Sequence, residues 1–423
     1  MNTQYAQDET RPRRASGVTS DAGAAHAAHA GGPGRPTVAI FRTTLGRPEQ
    51  AFIFDHAASL KRYRSLLIAA STLPEFDRSK AGRTPAFILD SDAGRWGAAR
   101  DLLFRVTGRS ASFARVLRAN SAALIHAHFG PDSVRMLRTS RQLRLPLVTT
   151  FHGFDASRAD EALRRGTLGE RQYLRSRHEL ARRGAAHIAV SHFIRDQLLE
   201  RGFPGDRTTV NYLGVDAGFF RPSPAERKRA TVLFVGRLDE AKGVLDLVHA
   251  LAAVQVTVPE VRGVFLGAGP AQAEVALHAK RLGVRIELPG VVSRAEVRSW
   301  MQSASVLCGP SKRSSMGARE AFGLVFAEAQ ACELPVVAYA SGGVTEAVAH
   351  GETGFLVAEG DVVELAATLC RLLGDPELSG RFGRAGRARV LRDFDAVRQS
   401  AKLEEIYDEV LARSGSWASS SGT

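Results

Sequence analysis

The sequence has no apolar run approaching the ~18 residues that a membrane-spanning helix needs. Its first 36 residues carry Arg11, Arg13 and Arg14 but then turn to Ala, His and Gly without the apolar block of a secretory signal, so a cytoplasmic chain with a disordered tail over 1–36 is expected. Cysteine is scarce. Cys308, Cys332 and Cys370 show no metal-ligand spacing, and an odd count in a chain of this size argues against a disulfide framework. Apart from a twofold α/β architecture there are no internal repeats, and the Ser-rich end from Ser414 (413–423) reads as frayed.

What is present is an ordinary globular composition, 44% apolar and 24% charged, over 423 residues. That length suits two domains, each able to bury its own core. The net charge of +13 is uneven. Residues 37–222 hold 30 Lys and Arg against 17 Asp and Glu, whereas 223–423 hold 23 against 24. Two readings fit this excess: Arg-rich solvated faces, or a functional basic surface on the first half.

The stretch from Thr37 to Phe41 reads as a buried first strand, followed by a loop through Gly46 and a helix from about Glu49 to Leu67. Short apolar runs at Ala86–Leu89, Ala123–Ile125, Leu147–Phe151 and His187–Val190 alternate with helix-length stretches, the pattern of a parallel sheet. A linker is expected at Arg221-Pro222-Ser223-Pro224. A second register then begins, with strands at Thr231–Val235, Gly263–Leu266, Arg285–Leu288, Val306–Cys308, Pro335–Ala338 and Gly354–Val357. Helices are expected between them near 243–254, 271–282, 293–303, 322–332 and 361–373, giving Rossmann-like domains over 37–222 and 223–395. Leu403, Ile406, Tyr407, Val410 and Leu411 recur at helical spacing, so 396–412 reads as an amphipathic closing helix.

In open α/β sheets ligands bind beyond the carboxyl ends of the strands. Gly236-Arg237-Leu238-Asp239-Glu240-Ala241-Lys242-Gly243 lies at such a position, and a guanidinium and an ammonium five residues apart can hold a diphosphate from two sides. Solvated basic residues at a turn are the ordinary alternative. Gly267 opens a tight turn after the next strand. The segment Glu320-Ala-Phe-Gly-Leu-Val-Phe-Ala-Glu328 opens a helix, where Phe322, Gly323, Leu324 and Val325 would offer orphan N–H groups to an anion between the two carboxylates. In the first half, His126-Ala-His128-Phe-Gly130 and Thr150-Phe-His152-Gly-Phe-Asp155 both fall at strand ends. His126-x-His128 could ligate a metal, but the sequence shows no third ligand at a suitable spacing, and the lone Asp90-Ser91-Asp92 is expected by chance.

In this order, the Gly46 loop, HAHFG, TFHGFD, Asn211–Asp216, GRLDEAKG, Gly267–Pro270, Leu288–Val291, the paired glutamates and Gly342-Gly343-Val344-Thr345-Glu346 resemble family 4, or group 1, of the retaining glycosyltransferases, from about Thr37 to Ala412. The resemblance implies a GT-B fold, metal-independent transfer from a nucleoside-diphosphate sugar, no cofactor and no nucleic-acid partner. It implies a catalytic set of Arg237 and Lys242 on the diphosphate, Glu320 on donor-sugar hydroxyls and His152 facing that sugar. Glu328 would bind the ribose, and Gly46, His128, Gly236, Gly267 and Val291 would line the donor site. The long loop Lys312–Arg319 and the segment Glu49–Ile53 occur also in members resembling exopolysaccharide transferases. This points to surface polysaccharide or glycolipid assembly, with a sugar or lipid-linked acceptor. A nucleotide-sugar epimerase and a catalytically silent binding subunit remain alternatives. Arg135, Arg138, Arg141 and Arg144 recur at three-residue steps, so the first domain is expected to dock on an anionic membrane face.

Overall fold

The computed structural model describes residues 34–46, 51–73, 76, 82, 84–92, 96–224, 227–228 and 230–420. The amino-terminal tail to residue 33, Glu49 and Gln50 lie outside the described residues.

The first half forms a seven-stranded parallel sheet in the order β3-β2-β1-β4-β5-β6-β7. Its strands are β1 (Thr37–Leu45), β2 (Arg64–Thr72), β3 (Ala86–Ile88), β4 (Ala122–His128), β5 (Leu147–Phe151), β6 (Ala186–Ala189) and β7 (Thr208–Val210). The second half forms a six-stranded parallel sheet in the order β10-β9-β8-β11-β12-β13. These strands are β8 (Thr231–Val235), β9 (Arg262–Leu266), β10 (Ile286–Gly290), β11 (Val306–Gly309), β12 (Val336–Tyr339) and β13 (Gly354–Val357). Each order is doubly wound, reversing direction between β1 and β4 and again between β8 and β11, and these two reversals are where such sheets open a binding crevice. The near-continuous apolar strands follow from helices covering both faces.

The single helix expected from Glu49 to Leu67 is not formed. The chain makes a helix over Ala51–Ser59, turns at 61–63 and becomes β2. The turn is stabilised from a distance: the Lys61 and Arg62 N–H groups donate to the Glu404 carboxylate at 2.7 and 2.6 Å. Leu66–Ala70 is a continuous buried run, which suits a central parallel strand. The edge strand β7 and the helix Pro376–Arg389 are further elements that the pattern left out. The closing helix runs from Ala396 through the expected frayed stretch to Ser420.

That helix packs on the first sheet, not the second: Leu403, Tyr407 and Val410 share a core with Val38, Ile40, Leu124 and Ile188. The chain therefore crosses between sheets twice, and the crossings lie side by side. Val215 N–H donates to Phe394 O at 2.8 Å and Ala396 N–H to Val215 O at 3.0 Å. Since Val215 and Phe220 already belong to the second core, the outward crossing comes earlier than Arg221-Pro222-Ser223-Pro224.

Three further contacts bring the strand ends of the two sheets together. Glu346 accepts from the His192 and Phe193 N–H groups at 2.8 Å each and from the Tyr212 hydroxyl at 2.9 Å. Ser191 Oγ donates to Ala321 O at 2.6 Å, and Ala159 N–H to Met316 O at 3.3 Å. Met316 sits in the long loop Lys312–Arg319, so that loop touches the first domain.

Candidate active site

The site is built on the two sheet reversals. After β8 the chain winds a short 3-10 turn over Glu240–Lys242, capped by Asp239, whose carboxylate accepts from the Lys242 N–H at 3.2 Å. Gly243 then takes φ 63° against Pro310 O, a position that a Cβ would fill. The turn aims the Lys242 ammonium at the chain after β11, where it pairs with the Glu320 carboxylate. Ser311 Oγ donates to the same oxygen at 3.2 Å. Burial alone would push the Glu320 carboxyl up and the Lys242 ammonium down; each group's charge on the other overrides this, so Glu320 lies below its ordinary range and Lys242 above. Arg237, largely exposed, contacts Asp239 at 3.2 Å. Lys312 is tied to Asp246 at 2.8 Å.

Glu320 is followed by a tight approach: Gly343 lies against Ala321 O so closely that no side chain fits there. The helix begins at Leu324, with Gly323 as its N-cap at φ 79°, two residues later than expected. Phe322 is therefore not a helical donor, and its ring is buried in the second core. Gly323, Leu324 and Val325 carry the free N–H groups of this helix start. Glu328, one turn on, meets no hydrogen-bond donor among the described residues. Burial, opposed by the Arg294 charge and reinforced by Asp55, raises its carboxyl to about 7. Arg294 in turn bonds Asp55 of the first domain at 3.0 Å. Gly236 and Gly267 pack backbone to backbone at the ends of β8 and β9, and Val291 is exposed just past β10.

Across the cleft, Gly46 ends β1 at φ 124° beside Leu73. His126 and His128 lie within β4, not after it. Phe129 then takes φ 75°, a conformation costly for a bulky residue, and turns the chain into the helix Gly130–Leu143. Asp155 holds the neighbouring loop: buried, it accepts from the N–H groups of Gly130, His152 and Gly153 at 2.9, 3.2 and 3.0 Å. Burial outweighs these bonds and lifts its carboxyl to about 6. His152 Nε2 meets His128 Nδ1 at 2.9 Å, while its Nδ1 is shielded from solvent and has no partner among the described residues.

Sequence reasoning missed His56, Asp55, Arg294, Ser311 and Tyr407. His56 supplies the third imidazole absent from the sequence spacing: nitrogens of His56, His126 and His128 lie within 4.8 Å of one another. An Asp-His pair interrupting the apolar helix Ala51–Ser59 was the available sign. The Asp90-Ser91-Asp92 carboxylates sit beyond the edge strand β3, where Asp92 accepts from the Ile88 N–H at 2.8 Å.

The described helices include none long and apolar enough to cross a membrane. Residues 217–389 match the family described as Glycosyl transferases group 1, and residues 74–219 match Glycosyltransferase Family 4. WcaL of Salmonella typhimurium, named for colanic acid biosynthesis, is 30% identical over 82% of both chains. The chain belongs to the group 1, or family 4, glycosyltransferases. A D-inositol 3-phosphate glycosyltransferase of Thermobispora bispora is 30% identical over 69% of this chain and 71% of its own. Among solved structures, Anabaena HepE in complex with UDP and glucose superposes with a TM-score of 0.73 at 22% identity, over 89% of this chain and 100% of HepE. This glycosyltransferase thus has the GT-B architecture of two facing Rossmann-like domains.

Because the folded protein binds the Glu328 proton more tightly than the unfolded chain does, Glu328 contributes stability that is lost as pH rises from the ordinary carboxylate range, near 4.5, through about 7. Asp155 acts in the same direction, and the buried His126, His128 and His152 in the opposite one. In urea unfolding the wild type should lose stability relative to Glu328→Gln as pH rises across this window. A difference between the two that stays constant with pH would remove Glu328 as a contributor.

Proposed function

We propose that the chain transfers a hexose from a nucleoside-diphosphate sugar to a sugar or lipid-linked acceptor in surface polysaccharide or glycolipid assembly, with retention of anomeric configuration and without a metal. The observation that carries this reading is the Lys242–Glu320 pair beside a helix N-terminus, at the reversal of the second sheet. An arriving diphosphate competes for Lys242 and, with Arg237 and the N–H groups of Gly323, Leu324 and Val325, neutralises the charge that grows on the leaving group. Release of Lys242 frees Glu320 to accept from sugar hydroxyls. Glu328, lacking a donor, suits the ribose. HepE, crystallised with UDP and glucose, and WcaL, named for colanic acid, support the donor and acceptor classes.

Neither Glu320, paired with a lysine, nor Glu328, one turn inside the helix, is presented as a free nucleophile. The acceptor hydroxyl therefore attacks from the face the diphosphate leaves, and the departing phosphate oxygen takes its proton. The double crossing at Val215 and Phe394 lets the domains close over the donor and exclude water.

Membrane docking needs a different surface from the four-arginine stripe. Arg135 points inward, its guanidinium donating to Thr43 Oγ1 at 2.8 Å with Asp132 beside it. The helix Gly97–Thr107 instead exposes Ala99, Leu102, Leu103 and Val106 along one face. Val106 borders a groove of about 270 Å³ shared with Arg138, Arg141 and Arg175. An apolar face flanked by guanidinium groups suits an anionic lipid surface, where each basic group contributes ~1 kcal/mol.

Lys242→Ala, Arg237→Ala and Glu320→Ala should each lower transfer about a hundredfold, the effect of removing ~3 kcal/mol of transition-state stabilisation, with the fold intact and with activity persisting in EDTA. Near wild-type turnover in all three would end the assignment. In co-sedimentation, anionic vesicles should bind the chain, high salt should release it, and a triple Leu102→Ser, Leu103→Ser, Val106→Ser variant should bind at least tenfold more weakly. Recovery with anionic vesicles no greater than without vesicles would exclude the membrane and favour a soluble acceptor.

A further inference from the structure

Five hydrogen bonds link the candidate donor site to the closing helix in one unbranched chain. His152 Nε2 meets His128 Nδ1 at 2.9 Å, His128 Nε2 meets His56 Nδ1 at 3.2 Å, and His56 Nε2 meets the Tyr407 hydroxyl at 3.0 Å. The same hydroxyl meets His126 Nδ1 at 2.5 Å, and His126 Nε2 meets Thr150 Oγ1 at 2.7 Å. Burial holds all four imidazoles well below their ordinary range, so each is neutral and offers one N–H and one lone pair.

A neutral imidazole that accepts on one nitrogen must donate from the other, and the Tyr407 hydroxyl carries a single proton. Bonds then run one way along each side of Tyr407, whose single proton can serve only one neighbour. In one arrangement His56 and His126 both donate to the Tyr407 oxygen, which leaves its proton and the His152 Nδ1 lone pair unmet. Two others run in one direction throughout. If bonds run from His152 toward Thr150, the Thr150 hydroxyl accepts and its own proton has no acceptor among the described residues, while the His152 Nδ1 lone pair is also unmet. If they run from Thr150 toward His152, only the His152 Nδ1–H is left over. The arrangement that starts at Thr150 has one unmet group and each of the others has two, and unmet buried groups are costly.

We infer that Thr150, acting through His126, Tyr407, His56 and His128, fixes His152 as an Nδ1–H donor, so that the group it recognises in the bound ligand is a hydrogen-bond acceptor such as a sugar oxygen. Thr150 and Tyr407 are positioning residues in this account. The ligand's identity as a sugar rests on the proposed transferase function; the tautomer does not. All four imidazoles carry their proton on Nδ1, the tautomer that free histidine side chains populate less.

Long-range ¹H–¹⁵N spectra of the unliganded protein with labelled histidine test this without any donor. The expected result is a protonated Nδ1 and an unprotonated Nε2 on His56, His126, His128 and His152. In Thr150→Val the leading donor is gone and the two directions leave equal numbers of unmet groups, so the preferred Nε2–H tautomer returns at His152. The donor KM should then rise about tenfold, the effect of one lost hydrogen bond. Tyr407→Phe should uncouple the His152 signals from Thr150→Val. A wild-type His152 protonated on Nε2, or a His152 tautomer unmoved in Thr150→Val, would overturn the inference. So would a stoichiometric Zn²⁺ on His56, His126 and His128, since coordination would take the lone pairs that the chain uses. Should the spectra agree while no sugar is transferred, the tautomer assignment stands and the transferase reading falls.

Discussion

Glu346 occupies the point on which the facing of the two sheets depends. Its carboxylate sits at the start of the helix His192–Glu200, where the first turn has orphan N–H groups and a partial positive charge, and it takes two of those donors together with the Tyr212 hydroxyl. Glu346 belongs to the second domain; all three donors belong to the first or to the crossing segment. Arg389, in turn, donates to the Glu346 carbonyl at 2.6 Å. A parallel sheet directs its strand ends and helix N-termini to one edge, and this contact sets one such edge against the other. Beside this contact Gly153, next to His152, meets Ala321, next to Glu320.

The carboxylate–amide contact holds the domains where the chain itself is pliable. Among the described residues the two crossing segments share two backbone hydrogen bonds at Val215, with Tyr212 packed on Phe394 and Gly214 on Ala396, so rotation about them breaks few hydrogen bonds. Arg294 with Asp55 is a further polar contact between the domains, and Lys242 with Glu320 a polar pair inside the second, both of the kind a ligand can replace. The free protein keeps its cationic groups paired with carboxylates, which limits the cost of holding charge in a half-buried cleft. In the proposed function, an arriving diphosphate and its sugar hydroxyls would exchange those partners instead of creating charge contacts anew.

Much of this was legible in the sequence because parallel strands are short, apolar and punctuated by glycine. The strands Thr231–Val235 and Gly354–Val357 coincide with the apolar runs residue for residue. The second domain's helices fall within a few residues of expectation for the same reason. Arg64–Thr72 was misread because its apolar run continues the helical pattern of Ala51–Ser59, and the turn that separates them is held by Glu404, more than 300 residues away. Arg135 was read as surface because three-residue spacing alone does not say which face of a helix meets Thr43 and Asp132. His56 and Tyr407 were invisible as partners of His128 and His126, since their meeting depends on the closing helix returning to the first sheet. Motif order carried the family; tertiary return of the chain decided the histidine chain.

The central claim is that the reversal of the second sheet is a nucleoside-diphosphate site centred on Lys242 and Glu320. Thermal denaturation of the purified chain with UDP, GDP or ADP tests it directly, because a ligand that binds only the native state stabilises it, by about 2.7 kcal/mol at a hundred times its Kd. The account predicts that at least one of the three raises the unfolding temperature and that the shift is lost in Lys242→Ala. No shift with any of them at millimolar concentration, or a shift that Lys242→Ala leaves unchanged, would contradict it.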